Sequence, residues 1–220
     1  MFLQIDEFLT GEEVRTLAEL ARKTRFIDGR HSNPHNVTKK SAICDPADPS
    51  GQQASKIALG AFNRSESARN FVFPRQVALP QLVLYGAGMT YGTHIDAAFL
   101  QSGQQLLRSD VSCTMFISDP GSYQGGELMI TFGTEVLRIK GRAGTAIFYP
   151  STTLHQVTPV LSGERLVMIT FIESQIADQM QRDLLYTLGE VRALESLKME
   201  WNNRVHLDYV IQNLHRMWAT

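Results

Sequence analysis

Two cysteines in 220 residues, Cys44 and Cys113, make neither a disulfide framework nor a metal-binding spacing. Both are expected as free, buried thiols of a reducing compartment. An excess of one charge is also lacking, with 21 Lys and Arg against 22 Asp and Glu for a formal net charge of -1. Nucleic acid and anionic membranes are bound through concentrated Lys and Arg, so neither is expected as a partner. No apolar run approaches the roughly 18 residues of a membrane span. The opening MFLQIDEFLT meets an acid at Asp6 and carries no long apolar core, unlike a secretory leader. A cytoplasmic location is the default expectation. Internal repeats and low-complexity tracts are missing as well.

What is present is a chain long enough for one sizeable core, with a period that changes along its length. Residues 1–75 read mainly as a helical region that packs on the remainder of the chain. TGEE, from Thr10 to Glu13, fits a capping box, and Val14, Leu17 and Ala21 then mark one buried face. In the polar stretch DGRHSNPHN, His31 and His35 stand four apart, but Pro34 disfavours a helix there and a solvated loop is expected. A second helix is expected from about Gln52 to Arg69. Residues 76–174 break into short segments rich in Val, Ile, Phe, Tyr and Thr, such as DVSCTMFISD, GELMITFG and RLVMITFIE. That pattern predicts an antiparallel sandwich or barrel. Residues 175–220 return to helix, with Ile176, Met180 and Leu184 stepping by four and Leu207, Ile211, Leu214 and Trp218 forming a stripe. The stripe packs on the barrel's own outside or joins two copies as a homodimer.

Within the β-rich region, YGTHIDAAF places His94 and Asp96 two apart, so that in a strand both project to one face. A lone pair of this kind arises by chance often enough to weigh little. A third group raises its weight: His155, in YPSTTLHQVTP, lies on an expected strand that an antiparallel barrel can return beside the first. Two imidazoles and one carboxylate on one face of a metal leave its other positions open, which suits Fe(II) enzymes that bind a cosubstrate and oxygen. Zinc with a bound water would fit the same ligands. Arg165 begins the last apolar strand after the turn LSGER. With alternation it shares a face with Val167, Ile169 and Phe171, where an arginine needs an anionic partner and its planar fork matches a carboxylate. The plainer reading leaves it exposed at the turn. Glu127, in GGEL, reads as part of a glycine turn or bulge rather than as a catalytic base.

The blocks LYGAGMTYGTHIDAA, RSDVSCTMFISDPGSYQGGEL and FYPSTTLHQVTPVLSGER together resemble the Fe(II)- and 2-oxoglutarate-dependent dioxygenases, in particular the bacterial prolyl/lysyl-hydroxylase-like (PKHD-type) branch. The resemblance covers most of the chain. It implies a double-stranded β-helix core, jelly-roll and cupin-like, flanked by helices. It also implies iron held by His94, Asp96 and His155, and a 2-oxoglutarate carboxylate held by Arg165 with help from Tyr85. Tyr91 would lie near the substrate, although core packing explains either tyrosine equally well. Many relatives carry a serine two residues after the arginine, where this chain has Val167, so Arg165 must draw on another hydroxyl. The implied reaction hydroxylates an unactivated carbon of a peptidyl prolyl or similar side chain, or of a free small molecule. It is coupled to O2 and to decarboxylation of 2-oxoglutarate to succinate and CO2, with ascorbate as reductant. The competing readings are a non-catalytic metal- or ligand-binding barrel with a regulatory role and a zinc hydrolase.

Overall fold

In a computed structural model of the protein, which describes residues 1–33, 36–102 and 105–220, the strands are antiparallel and most gather in two facing sheets. The larger sheet runs in the order β1 (Leu3–Ile5), β14 (Ala146–Pro150), β10 (Val111–Phe116), β17 (Arg165–Ser174), β6 (Gln81–Tyr85), β4 (Ala42–Cys44) and β2 (Phe26–Asp28), with β5 (Pro74–Val77) also paired to β17. The smaller sheet is ordered β13 (Glu135–Ile139), β12 (Leu128–Phe132), β15 (His155–Val157), β7 (Thr90–His94) and β3 (Lys39–Lys40). Two further antiparallel pairs complete the strands: β8 (Phe99–Ser102) with β9 (Gln105–Arg108), which follow one another in the chain, and the long-range pair β11 (Gln124–Gly125) with β16 (Val160–Ser162). Strands in the middle of the larger sheet are buried on both faces, which explains why they read as near-continuous apolar runs rather than clean alternation.

The two faces carry different cores. One packs Leu82, Val111, Cys113, Met115, Phe148, Met168 and Ile172 against three helices, α1 (Gly11–Lys23), α2 (Pro49–Arg64) and α3 (Glu66–Val72). The other turns Val83, Tyr85, Phe116, Ile147, Tyr149 and Val167 toward Tyr91, Leu128, Ile130 and Val157 of the smaller sheet. This inner face is the one that bears Arg165, because β17 alternates and Arg165 and Val167 point the same way. The expected capping box is present: Thr10 N–H donates to Glu13 Oε2 at 2.8 Å and Glu13 N–H donates to Thr10 Oγ1 at 3.2 Å. Cys44 and Cys113 are free and buried.

Several elements differ from the pattern in the sequence. The first 75 residues contribute strands β1 to β5 as well as helices, since short edge strands leave little period to read. The expected helix over 52–69 is two helices, broken where Ser65 ends α2 and caps α3. Of the pair His31 and His35, His31 sits exposed in a 3-10 turn, while His35 lies outside the described residues. Ile176, Met180 and Leu184 do not form one buried face. Ile176 is bridged to Ala219 ahead of the helix α4 (Gln179–Glu195), whose buried residues are Arg182 and Leu185, and Met180 and Leu184 face outward. The stripe Leu207, Ile211, Leu214 and Trp218 of α5 (Trp201–Trp218) is covered by Ile176, Leu185, Leu188 and Phe73 of the same chain. Among the described residues, no helix is long and apolar enough to cross a membrane.

Candidate metal and carboxylate site

His94 and His155 are direct cross-strand partners on β7 and β15, so pairing alone brings their rings to 4.2 Å between centroids. Asp96 lies just past the end of β7, outside any strand. It still returns to the same place, with Oδ1 3.9 Å from His94 Nε2 and Oδ2 3.6 Å from His155 Nε2. One ligand atom from each of the three residues lies within 4.8 Å of the others, a set that could hold a metal ion. The pairing of β7 and β15 slips between the pairs His155–His94 and Val157–Tyr91, two residues on β15 against three on β7. This bulge at Gly92 and Thr93 brings Tyr91 to the face of His94, where regular alternation would separate them. The two rings stack at 3.5 Å between centroids with an angle of 16°.

Each candidate ligand is held from behind. The Nδ1 atoms of His94 and His155 lie 2.8 Å from Gly92 O and 2.9 Å from Thr153 O, which makes Nδ1–H the donor and leaves both Nε2 lone pairs for a metal. Ser112, on the inner face of β10, donates to Asp96 Oδ2 at 2.5 Å. A hydroxyl has one proton. Ser151, 2.7 Å from Ser112 Oγ, must therefore donate to it, and Ser109 donates in turn to Ser151 at 2.8 Å. The result is a one-way chain, Ser109 to Ser151 to Ser112 to Asp96. Burial pulls the His94 pKa down to about 4, helped by the neighbouring His155 and Lys39, and so keeps the ring in its neutral, ligating form. Burial pushes the Asp96 carboxyl up, against the opposing pull of His155 and Ser112. A divalent cation would favour the carboxylate and remove that penalty.

Arg165 stands directly opposite Tyr85 across β17 and β6, and is only 1% exposed. The plainer reading of an exposed turn arginine is therefore wrong. Its guanidinium carbon lies 5.1 Å from the Tyr85 ring centroid and 5.5 Å from that of Phe116. Two rings form its bed. Among the described residues no hydrogen-bond partner reaches its Nε or Nη2, and the buried Tyr123 hydroxyl is equally unpartnered. Arg165 lies near enough to Tyr123 to restrain the rise that burial imposes on the phenol's pKa. Gly126, at φ +65°, closes over both: a β-carbon there would sit 3.1 Å from Arg165 Cδ and 3.1 Å from Tyr123 Cε2. Gly126 of GGEL thus gives both side chains room that a β-carbon would take, while Glu127 points away to Arg138 at 3.1 Å. Three unpaired donors in a buried space fit a carboxylate of a 2-oxoglutarate molecule. Tyr123 is a member of the site that sequence reasoning missed; its only signal is its place in the SYQGGEL block.

The comparisons with known proteins agree with this geometry. Residues 80–173 match the 2OG-Fe(II) oxygenase superfamily. A PKHD-type hydroxylase of Sphingopyxis alaskensis is 45% identical over 212 residues, covering 96% of this chain and 97% of its own. The chain belongs to the PKHD-type hydroxylases of the 2OG-Fe(II) oxygenase superfamily. A second member, from Thermosynechococcus vestitus, is 37% identical over 100% of this chain and 99% of its own. Among solved structures, a Trichoplax adhaerens prolyl hydroxylase in complex with a hypoxia inducible factor peptide fragment matches with a TM-score of 0.61. It is 17% identical and aligned over 83% of this chain and 86% of that one, a likeness of fold alone. The strands accordingly form the double-stranded β-helix core of such oxygenases, with flanking helices. Membership makes the protein a dioxygenase and implies Fe(II), 2-oxoglutarate and O2; the zinc hydrolase and the non-catalytic barrel fall away.

Proposed function

We propose that the protein hydroxylates an unactivated carbon, with His94, Asp96 and His155 as the iron ligands and Arg165 as the anchor of 2-oxoglutarate, whose decarboxylation to succinate and CO2 is coupled to the reaction. The observation that carries this reading is a buried arginine with no acid partner among the described residues, set on the face of the larger sheet that looks toward the sheet bearing His94 and His155. An unpaired buried guanidinium is costly, and a ligand carboxylate relieves the cost. Tyr85 supplies the bed beneath Arg165 and Tyr123 a hydroxyl beside it, a role that Val167 cannot fill. Bound iron would supply the oxidising chemistry. The chain's own residues hold one end of the cosubstrate, keep the two imidazoles oriented and the His94 ring neutral, and close the inner face to water with Phe116, Tyr149 and Val167.

A peptidyl prolyl or similar side chain is the substrate we favour, supported by the likeness to prolyl hydroxylases, with Tyr91 beside it. Ascorbate is the proposed reductant, and free buried cysteines favour the cytoplasm. A homodimer, if formed through the C-terminal helices, would use their outer residues Leu194, Leu197, Trp201 and Tyr209, because the inner stripe is already covered. Sedimentation of wild type against L197E/W201E tests it; a monomeric wild type ends it. For the reaction itself, protein is loaded anaerobically with Fe(II), 2-oxoglutarate and ascorbate, then exposed to oxygen with candidate peptides and small molecules. Succinate release is expected in wild type and not in H155A or R165M. Equal release from either variant would overturn the assignment.

A further inference from the structure

A second buried cation lies on the other side of the cluster. Lys39, on the edge strand β3, pairs directly with Tyr91 of β7 and is 7% exposed. Its ammonium lies 4.8 Å from the centre of the Tyr91 ring, the same ring that stacks on His94. Among the described residues its hydrogen-bond partner is Ser32 Oγ at 2.6 Å, one acceptor for an ammonium that carries three donors. No carboxylate of the described residues comes within 4.0 Å of Nζ. The acids whose charge it feels are Asp28 and Asp96. Asp28 is bound to Arg30, at 2.6 Å, and Asp96 is turned to His94, His155 and Ser112. A lysine buried in this way is expensive unless an anion joins it. Arg165 sits on the larger sheet and Lys39 on the smaller, so one dicarboxylate anchored at Arg165 leaves Lys39 without a partner.

We propose that Lys39 binds a carboxylate of the primary substrate, so that the oxidised carbon belongs to a free amino acid, to a C-terminal residue, or to a residue beside an acidic side chain. A single ammonium with one hydroxyl partner among the described residues matches a monoanionic carboxylate; a phosphate dianion would call for more positive charge than Lys39 alone supplies. The bulge at Gly92 is what makes the arrangement, since it turns Tyr91 to the face of His94. Close approach of Gly92 to Thr38 then fixes β3 alongside: a β-carbon at Gly92 would lie 2.6 Å from Thr38 Oγ1. Lys39 is thereby held one aromatic ring away from a candidate iron ligand, the range at which a substrate's anchor must sit to present its neighbouring carbon. This inference rests on Arg165 taking the 2-oxoglutarate.

The test is calorimetric, on protein loaded with Mn(II), which is inert to oxidative turnover, and saturated with 2-oxoglutarate. Matched pairs are titrated: each proteinogenic L-amino acid against its carboxamide, short proline peptides with free against amidated C-termini, and amidated peptides carrying Pro-Asp against Pro-Asn. At least one acid is expected to bind about tenfold or more tighter than its neutral twin, the worth of a charge-assisted hydrogen bond. K39Q should abolish the difference, and K39R should keep most of it. The arm that shows the preference identifies the source of the carboxylate. Absence of any acid preference, or its survival in K39Q, would overturn the proposal. So would a K39Q that binds 2-oxoglutarate much more weakly, which would assign Lys39 to the cosubstrate. Wild-type protein that fails to bind 2-oxoglutarate at all would instead sink the reading of Arg165.

Discussion

Around His94, Asp96 and His155 nearly every polar atom other than the ligand atoms already has a protein partner, whereas around Arg165 three buried donors have none. The first region is finished by the fold. Backbone carbonyls fix the two imidazoles, and a serine chain fixes the acid. The second region holds donors without acceptors among the described residues: the Tyr85 and Phe116 rings flank the guanidinium, and Gly126 and the Tyr123 phenol lie beside it. A metal cluster built this way selects geometry before the ion arrives. An arginine left unpaired carries a penalty that an anion relieves, so a cosubstrate anchored there, as proposed, would bind strongly without many contacts.

The most severe way to break the finished region is D96A. It removes one of three candidate ligands and the only negative one, and is expected to abolish both tight metal binding and 2-oxoglutarate turnover. The fold should survive, because burial already pushes the Asp96 carboxyl up and its loss removes that strain. Metal titration and a thermal melt check the two halves; retained turnover would refute the ligand assignment. R165M attacks the unfinished region. Affinity for 2-oxoglutarate should fall about hundredfold, the order seen when a buried charge partner is lost. The ligand-free protein, however, should melt no lower than wild type, and higher if methionine fills the bed between Tyr85 and Phe116. A variant that binds 2-oxoglutarate normally, or one that is globally destabilised, would show that Arg165 is structural.

The same contrast explains what could be read from the sequence. His94, Asp96, His155 and Arg165 are legible because each departs from its surroundings: charged or ligating groups in apolar, strand-like segments with a fixed order along the chain. Arg165 and Val167 share the inner face as alternation requires, and the expected antiparallel β architecture arises from the same period. Lys39 and Tyr123 were not legible. Lys39 sits in VTKKS, a polar stretch without a strand's apolar alternation, and its pairing with β7 buries it. Tyr91 and His94 are three apart, so alternation places them on opposite faces; the bulge that reunites them is signalled by nothing more than Gly92 inside a strand. The serine chain was equally hidden, because Ser109, Ser112 and Ser151 meet only through pairing of β10 with β14. Pattern reveals periodic faces, while bulges and partner strands decide which faces meet.

A finer way to sharpen the comparison is S112A. The carboxylate of Asp96 would lose the hydrogen bond that Ser112 donates, and Ser151 would lose the acceptor for its proton. Metal affinity is expected to drop about 10- to 100-fold, the usual cost of removing a residue that orients a ligand. Affinity for 2-oxoglutarate measured at saturating metal should stay near wild type, because Arg165 is untouched. S109A, two hydroxyls further from Asp96, should weaken metal binding less than S112A. Equal losses would mean that the chain acts through packing and not through its polarity.

The smallest effect is expected from Y123F. The variant keeps the ring that fits beneath Gly126 and above which Lys140 Nζ lies at 4.2 Å, and removes only the unpartnered hydroxyl. In the ligand-free protein that deletion should be neutral or slightly stabilising, since a buried donor without an acceptor costs energy. With 2-oxoglutarate present the hydroxyl would gain its acceptor, so the variant should bind the keto acid about five- to tenfold more weakly, one neutral-to-charged hydrogen bond. The opposite signs in the two states are the diagnostic. Destabilisation of the ligand-free fold without any change in 2-oxoglutarate affinity would place Tyr123 in the finished part of the molecule. The carboxylate would then be left to Arg165 and Tyr85 alone.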